Sequence, residues 1–204
     1  MNSNTSNTDA VNVVISGVGG QGVLTLAEIL AKAALGESKN VRVGEIHGMA
    51  QRGGHVICTV RIGPDVSGPI VDPGTADILV GFEPIETLRE IEVISNDGRV
   101  LMNSNLVHPV AVSMGKADYP KHDEIVESIK RFTKNLIEFD AMDLAKKAGS
   151  DRAMNMVMFG AIIALGLTGI SKDIAEKTIR ETFPGRYEDI NIRAFESGRH
   201  QIQQ

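Results

Sequence analysis

The residues best placed to do chemistry are glycines. Gly17-Val18-Gly19-Gly20-Gln21-Gly22 follows the apolar run Val11 to Ile15 and precedes an apolar-periodic stretch that begins at Val23. That order predicts a glycine-rich loop between a buried strand and a helix. The N–H groups left over at the helix start, with the positive end of its dipole, can face a phosphate, a carboxylate or the acidic edge of another protein. A second polar, glycine-rich stretch, His47-Gly48-Met49-Ala50-Gln51-Arg52-Gly53-Gly54, comes directly after the next predicted strand. Both loops are therefore expected on one edge of a parallel sheet. Arg52, between Gln51 and Gly53-Gly54, carries a guanidinium fork that fits a phosphate or a partner carboxylate; a solvated turn arginine is the plainer alternative. Gln21 can donate and accept at the loop tip, or cap the helix.

Other chemistries fit less well. Gly17, Gly19 and Gly22 have the dinucleotide-binding spacing, but the acidic residue that should end the second strand is represented only by Glu45, which runs on into Ile46 and His47. The adjoining Gly19-Gly20 and the polar Gln21 also depart from that fingerprint, so a free-standing nucleotide-binding protein stands as the alternative reading. The loop is too short for a phosphate-binding Walker loop and lacks its terminal Lys-Ser or Lys-Thr. Ser16-Gly17 is not a nucleophile elbow. His47 and His55 bracket the second loop without a third metal ligand at strand or helix spacing, and backbone hydrogen bonds are expected to hold them. His108, His122 and His200 lie in unrelated polar surroundings. Cys58 is the only cysteine. In the alternating run Val56-Ile57-Cys58-Thr59-Val60 it reads as a small apolar strand residue, and one thiol excludes an internal disulfide and a self-contained thiolate zinc or iron–sulfur site.

The elements that must position these loops are legible from periodicity. Met1 to Asp9 is Asn-, Ser- and Thr-rich and predicts a disordered tail, residues 1–9, ahead of a single domain over 10–204. Strands are expected over 11–16, 41–46, 55–62, 78–82, 99–102, 110–113 and 136–139. Helices are expected over 23–35, 84–93 and 123–133. From Ala141 onward the pattern is helical, with segments 141–148, 153–167, 172–182 and 187–200, so that residues from about 150 to 204 form a helical C-terminal part. Strands alternating with helices, with the two glycine loops read as crossovers, predict an α/β fold: a Rossmann-like, mainly parallel sheet flanked by helices. The segment Ala153 to Leu167 is apolar around its circumference, with Met154, Met156 and Met158 at its start. It belongs either at the centre of the core or under a partner.

Composition narrows the setting. With 21 Lys+Arg against 26 Asp+Glu the formal charge is −5, which argues against nucleic acid as the main partner. The apolar stretch around Met154 to Leu167 is too short for a bilayer and no signal peptide opens the chain, so a cytoplasmic protein away from the membrane is expected.

Taken together, Gly17-Val18-Gly19-Gly20-Gln21-Gly22-Val23 and Glu45-Ile46-His47-Gly48-Met49-Ala50-Gln51-Arg52-Gly53-Gly54 resemble the gamma-type subunit or domain of the 2-oxoacid:ferredoxin oxidoreductases. The His-Gly-Met portion draws the chain toward the arylpyruvate branch, whose type is the beta subunit of indolepyruvate oxidoreductase. The match is close over the first third, and the later pattern is compatible with it. The resemblance implies oxidative decarboxylation of a 2-oxoacid with coenzyme A as co-substrate, giving an acyl-CoA, CO2 and reduced ferredoxin. It also implies a larger partner subunit that carries thiamine diphosphate, Mg2+ and the iron–sulfur clusters, since this chain has neither a Gly-Asp-Gly motif nor the cysteines. On that footing the expected coenzyme A- or partner-facing residues are Gly17, Gly19, Gly20, Gln21, Gly22, His47, Met49, Gln51, Arg52, Gly53 and Gly54. No residue of this chain is assigned a catalytic step.

Overall fold

The computed structural model describes residues 10–47, 54–107, 112 and 118–203. The expected tail 1–9, loop residues 48–53 and, apart from residue 112, the expected strand 110–113 lie outside the described residues, as does the side chain of His47.

Six strands form one sheet in the order β2-β3-β1-β4-β5-β6. They are β1 Val11–Val18, β2 Val41–His47, β3 His55–Ile62, β4 Ala76–Gly81, β5 Ile94–Asn103 and β6 Leu136–Phe139. β1, β4, β5 and β6 pair in parallel, whereas β3 pairs antiparallel with both β1 and β2. Five strands thus run one way and β3 alone runs back. The fold class expected from the sequence is present, with one correction: the second glycine-rich loop joins β2 to β3 as an antiparallel connection, not as a crossover. The segment between them is shorter than the dozen or so residues a parallel crossover needs.

Alternation along the strands divides the core. Val13 and Ile15 of β1, Ile78 and Val80 of β4 and Leu101 of β5 enter one cluster, while Val14, Leu79, Val100 and Met102 enter another. The larger face is covered by α1 Val23–Gly36, α4 Ala141–Ala148, α5 Met154–Ala164, α6 Lys172–Thr182 and α7 Glu188–Gln203. The smaller face is covered by α2 Pro84–Arg89 and α3 His122–Lys130. α2 is shorter than expected because the chain tightens into a 3-10 turn at Ile91–Val93. β5 begins earlier than the expected strand 99–102 and carries a register shift around Asp97-Gly98, where Ala76 pairs Ile94 but Ile78 pairs Arg99.

The apolar helix α5 settles between its two alternatives. Met154 through Ile163 are all buried within this chain, so the methionines pack its own core. α7 crosses α5 at glycine contacts: a Cβ on Gly160 would lie 1.9 Å from the Phe195 carbonyl oxygen, and one on Gly198 1.8 Å from that of Val157. Only hydrogen at these two positions lets the backbones approach so closely. Phe159 and Phe195 fill the neighbouring space with ring centroids 5.4 Å apart.

The crossovers place the open edge. From β1 the chain passes over the larger face through α1 to β2; from β4 it passes over the smaller face through α2 to β5. The two paths diverge at the carboxyl ends of β1 and β4, the position in open α/β sheets where ligands are received.

Candidate functional site

The first glycine loop is built at that divergence. Gly20 and Gly22 have φ of +99° and +92°, conformations that a side chain would strain. Gly22 is the N-cap of α1, and no side chain caps the helix or places an acidic group in its first turn. The start of a 14-residue helix is therefore presented with its dipole unneutralised by its own side chains. Gly20 is exposed, and a Cβ there would meet no atom within 4 Å.

Gln21 does not cap the helix. Its Oε1 accepts the Val18 N–H at 2.7 Å, and its Nε2 donates to the Phe82 carbonyl at 3.4 Å. The side chain turns inward and bridges the divergence between β1 and β4. Gly17 lies beneath it, where an added Cβ would sit 2.8 Å from Phe82 Cβ and 2.9 Å from Gln21 Oε1. Gln21 is thus a positioning residue for the loop.

The two glycine-rich segments meet. The Gly19 N–H donates to the Gly54 carbonyl at 2.8 Å, and β3 begins with His55 opposite Val18 at the end of β1. Of the expected site residues, the structure brings Gly17, Gly19, Gly20, Gln21, Gly22 and Gly54 to one corner of the carboxyl edge. The His47 backbone ends β2 opposite Val56. Met49, Gln51, Arg52 and Gly53 lie outside the described residues.

Four side chains outside the expected set of site residues hold this edge together. His55 is not held by backbone hydrogen bonds as expected: Nδ1 meets the Glu86 carboxylate and Nε2 lies 3.0 Å from Glu90 Oε1, so β3 is strapped to α2 and its far end. Asn103, 1% exposed, donates from Nδ2 to the Phe82 carbonyl at 3.0 Å and accepts the Ala141 N–H on Oδ1 at 3.0 Å. Glu83 is fully buried and caps α2, its Oε2 accepting the N–H groups of Ile85 and Glu86 at 2.8 and 3.1 Å. The Tyr119 hydroxyl donates to its other oxygen. Burial raises the Glu83 carboxyl above its ordinary range, outweighing these hydrogen bonds. Burial and the adjacent Glu83 likewise raise the Tyr119 phenol. The Glu83-Pro84 step carried a local signal, a capping acid before a first-turn proline. His55 and Asn103 carried none, since their partners are remote in sequence.

Cys58 is fully buried, and desolvation, with the Glu45 charge adding to it, pushes its thiol up to about 12. It is an inert strand residue at neutral pH, as its alternating setting suggested. Among the described residues no group of three or more His, Cys, Asp and Glu is placed to hold a metal ion, and no helix is long and apolar enough to cross a membrane.

Dinucleotide recognition finds no support in the arrangement. In that fold the acidic residue ends a strand directly beside β1. Here β3 separates β1 from β2, so Glu45 stands two strand spacings, about 9–10 Å, away from the glycine loop's strand.

The fold and the site together define a class of domain: an open α/β sheet with a glycine-lined helix start, uncapped by any side chain, at its switch point. The model of the pyruvate ferredoxin/flavodoxin oxidoreductase family matches residues 12–201, and the chain belongs to that family. Indolepyruvate oxidoreductase subunit IorB of Thermococcus kodakarensis is 44% identical over 188 residues, covering 92% of this chain and 93% of the relative. Ketoisovalerate oxidoreductase subunit VorA of Methanothermobacter marburgensis is 34% identical over 92% of this chain, which spans only 36% of that longer protein. The gamma subunit of a keto/oxoacid ferredoxin oxidoreductase from Geobacter sulfurreducens shares the fold at a TM-score of 0.69 and 25% identity, covering 95% of this chain and 98% of the subunit.

Proposed function

We propose that this chain is the small, non-thiamine subunit of a cytoplasmic 2-oxoacid:ferredoxin oxidoreductase acting on arylpyruvates such as indolepyruvate. The enzyme oxidatively decarboxylates the 2-oxoacid: the bond to the carboxyl carbon breaks to release CO2, the acyl group forms a thioester with coenzyme A, and the electrons reduce ferredoxin. The observation that carries the reading is the convergence of the two glycine-rich motifs, Gly19 bonded to Gly54, at the uncapped start of α1. The relationship to IorB supports the arylpyruvate branch.

This chain's donor set does not fit the redox groups. One cysteine, buried and protonated, holds no cluster. Thiamine diphosphate, Mg2+ and the iron–sulfur clusters are assigned to a larger partner subunit, where they supply decarboxylation and electron transfer, and ferredoxin docks on the complex. This chain's part is to bind and orient. The N–H groups at the start of α1 and the Arg52 guanidinium meet the coenzyme A phosphates, while Gly20 leaves the loop tip open and Gly17 and Gly22 let the loop pack closely. Gln21 holds the loop's shape, and His47, Met49, Gln51, Gly53 and Gly54 are assigned with Arg52 to contacts with coenzyme A or the partner.

The test uses the assembled enzyme with a reducible dye or ferredoxin. Indolepyruvate should be turned over with higher kcat/KM than pyruvate, and omission of this chain should abolish coenzyme A-dependent reduction. R52A should raise the KM for coenzyme A about 10-fold or more, as expected for one charge-assisted hydrogen bond. Full activity of the larger subunit alone overturns the proposal. Unchanged assembly and an unchanged coenzyme A KM in R52A remove Arg52 from the site.

A further inference from the structure

The sheet is also hollowed at the rim opposite the glycine loop. Where β1 and β2 begin and β3 ends, a cavity of about 390 Å³ lies between the turn that follows α1, the end of β3 and the connection from α5 to α6. The eight residues of β1 separate it from the glycine loop by about 23 Å. Its volume is of the size that takes a small ligand. One side of it is apolar: Val11, Ile62, Pro64 and Leu167 line it, with Ile62 2% exposed on the floor and Leu167 40% exposed at the rim.

The other side carries one charge, on Lys39. The turn that ends α1 aims it. Ser38 is left-handed, with φ +57°, and the Lys39 N–H returns to the Ala34 carbonyl at 3.0 Å, so the chain reverses after the helix. The Lys39 side chain then crosses to the α5–α6 connection, where a Cβ built on Gly169 would lie 2.9 Å from Nζ. Gly169, with φ +61°, leaves that place free for the ammonium. Lys39 is half-buried, and its ammonium makes no ion pair or hydrogen bond among the described residues. Glu37 feels its field, but that carboxylate is engaged by the Ser171 N–H at 2.8 Å. Thr168, which lines the same cavity, is 2% exposed, and its N–H also meets no acceptor among the described residues. A backbone donor in so buried a residue is seldom left without a partner.

We infer that this cavity is a second ligand site, for a small monocarboxylate with an apolar body the size of one ring. The carboxylate pairs with the Lys39 ammonium and accepts the Thr168 N–H, and the body lies against Val11, Ile62, Pro64 and Leu167. A single ammonium matches a single negative charge, whereas a phosphate, with nearly two, calls for more cations than the cavity holds. A bare anion would also leave the apolar side in water. The inference is independent of what the glycine loop receives, because the two sites lie at opposite ends of β1.

The experiment titrates cyclohexanecarboxylate against the assembled enzyme by ligand-observed NMR, with cyclohexanecarboxamide and inorganic phosphate as comparisons. The carboxylate should bind with Kd of about 1 mM, and the amide and phosphate at least about 10-fold more weakly, as expected where one charge-assisted contact or the apolar contact is missing. K39M, which keeps most of the aliphatic stem, should weaken the carboxylate by about 10-fold and leave the amide unchanged. L167D, which sets a negative charge at the rim, should weaken it at least as much, and it keeps the test decisive if K39M fails to fold. In both variants kcat and the KM values for the 2-oxoacid and coenzyme A should stay within about twofold of the unaltered enzyme. Carboxylate binding no tighter than that of the amide or of phosphate overturns the inference. So does binding unchanged in both K39M and L167D, and so does displacement of the carboxylate by saturating 2-oxoacid or coenzyme A, which would put it in the catalytic site.

Discussion

A single amide at Gln21 shows how chemistry legible in a residue type can be turned to a different use. Its capacity to donate and accept is plain from the sequence, yet its partners are Val18 next door and Phe82 far along the chain, so no local pattern predicts that it faces inward. Glu83 gives a pH-dependent expectation. Its carboxyl is raised by burial in the folded state, so the folded chain holds that proton more tightly than the unfolded one. The stability linked to Glu83 is therefore fully present below the ordinary value of 4.5 and is lost as pH rises through the raised folded value. Denaturant unfolding from pH 4 upward should show E83Q with a flatter decline than the unaltered chain; parallel curves would show that the proton is not held by Glu83.

Among elements, hydrophobic periodicity located most strands and helices within a few residues, because alternation and helical spacing are local properties. What it did not specify was direction. β3 has the alternating pattern of either orientation, and only the short span from His47 to His55 argued for a return strand. The glycine pair between α5 and α7 was likewise invisible as a contact, since each glycine alone reads as a mild helix breaker. Its energetic weight is testable. G160A or G198A forces a methyl into a backbone carbonyl, an overpacking expected to cost at least ~1–3 kcal/mol and to lower Tm by ~2–4 °C for each kcal/mol. An unchanged Tm in calorimetry of G160A would mean that the helices separate without penalty.

For the molecule as a whole, the recognition of the family came from two motifs taken together, and the structure supplies the reason: a backbone hydrogen bond makes them neighbours. The nucleotide-binding alternative depended on strand order, which no single motif reports. With β3 between β1 and β2, nicotinamide dinucleotide should leave the thermal unfolding midpoint of the complex unmoved at millimolar concentration, where a ligand with micromolar Kd would add about 4 kcal/mol. A clear upward shift would reinstate that alternative.

The reversed strand also governs how the chain must be assembled during synthesis. β1 leaves the ribosome first, yet both of its neighbours arrive later, β3 only after Ile62 has emerged and β4 only after Gly81. Until then the strand bearing the glycine loop has two bare flanks. A nascent chain halted between those points would carry a three-stranded precursor with one open side, a natural client for a chaperone that shields extended backbone.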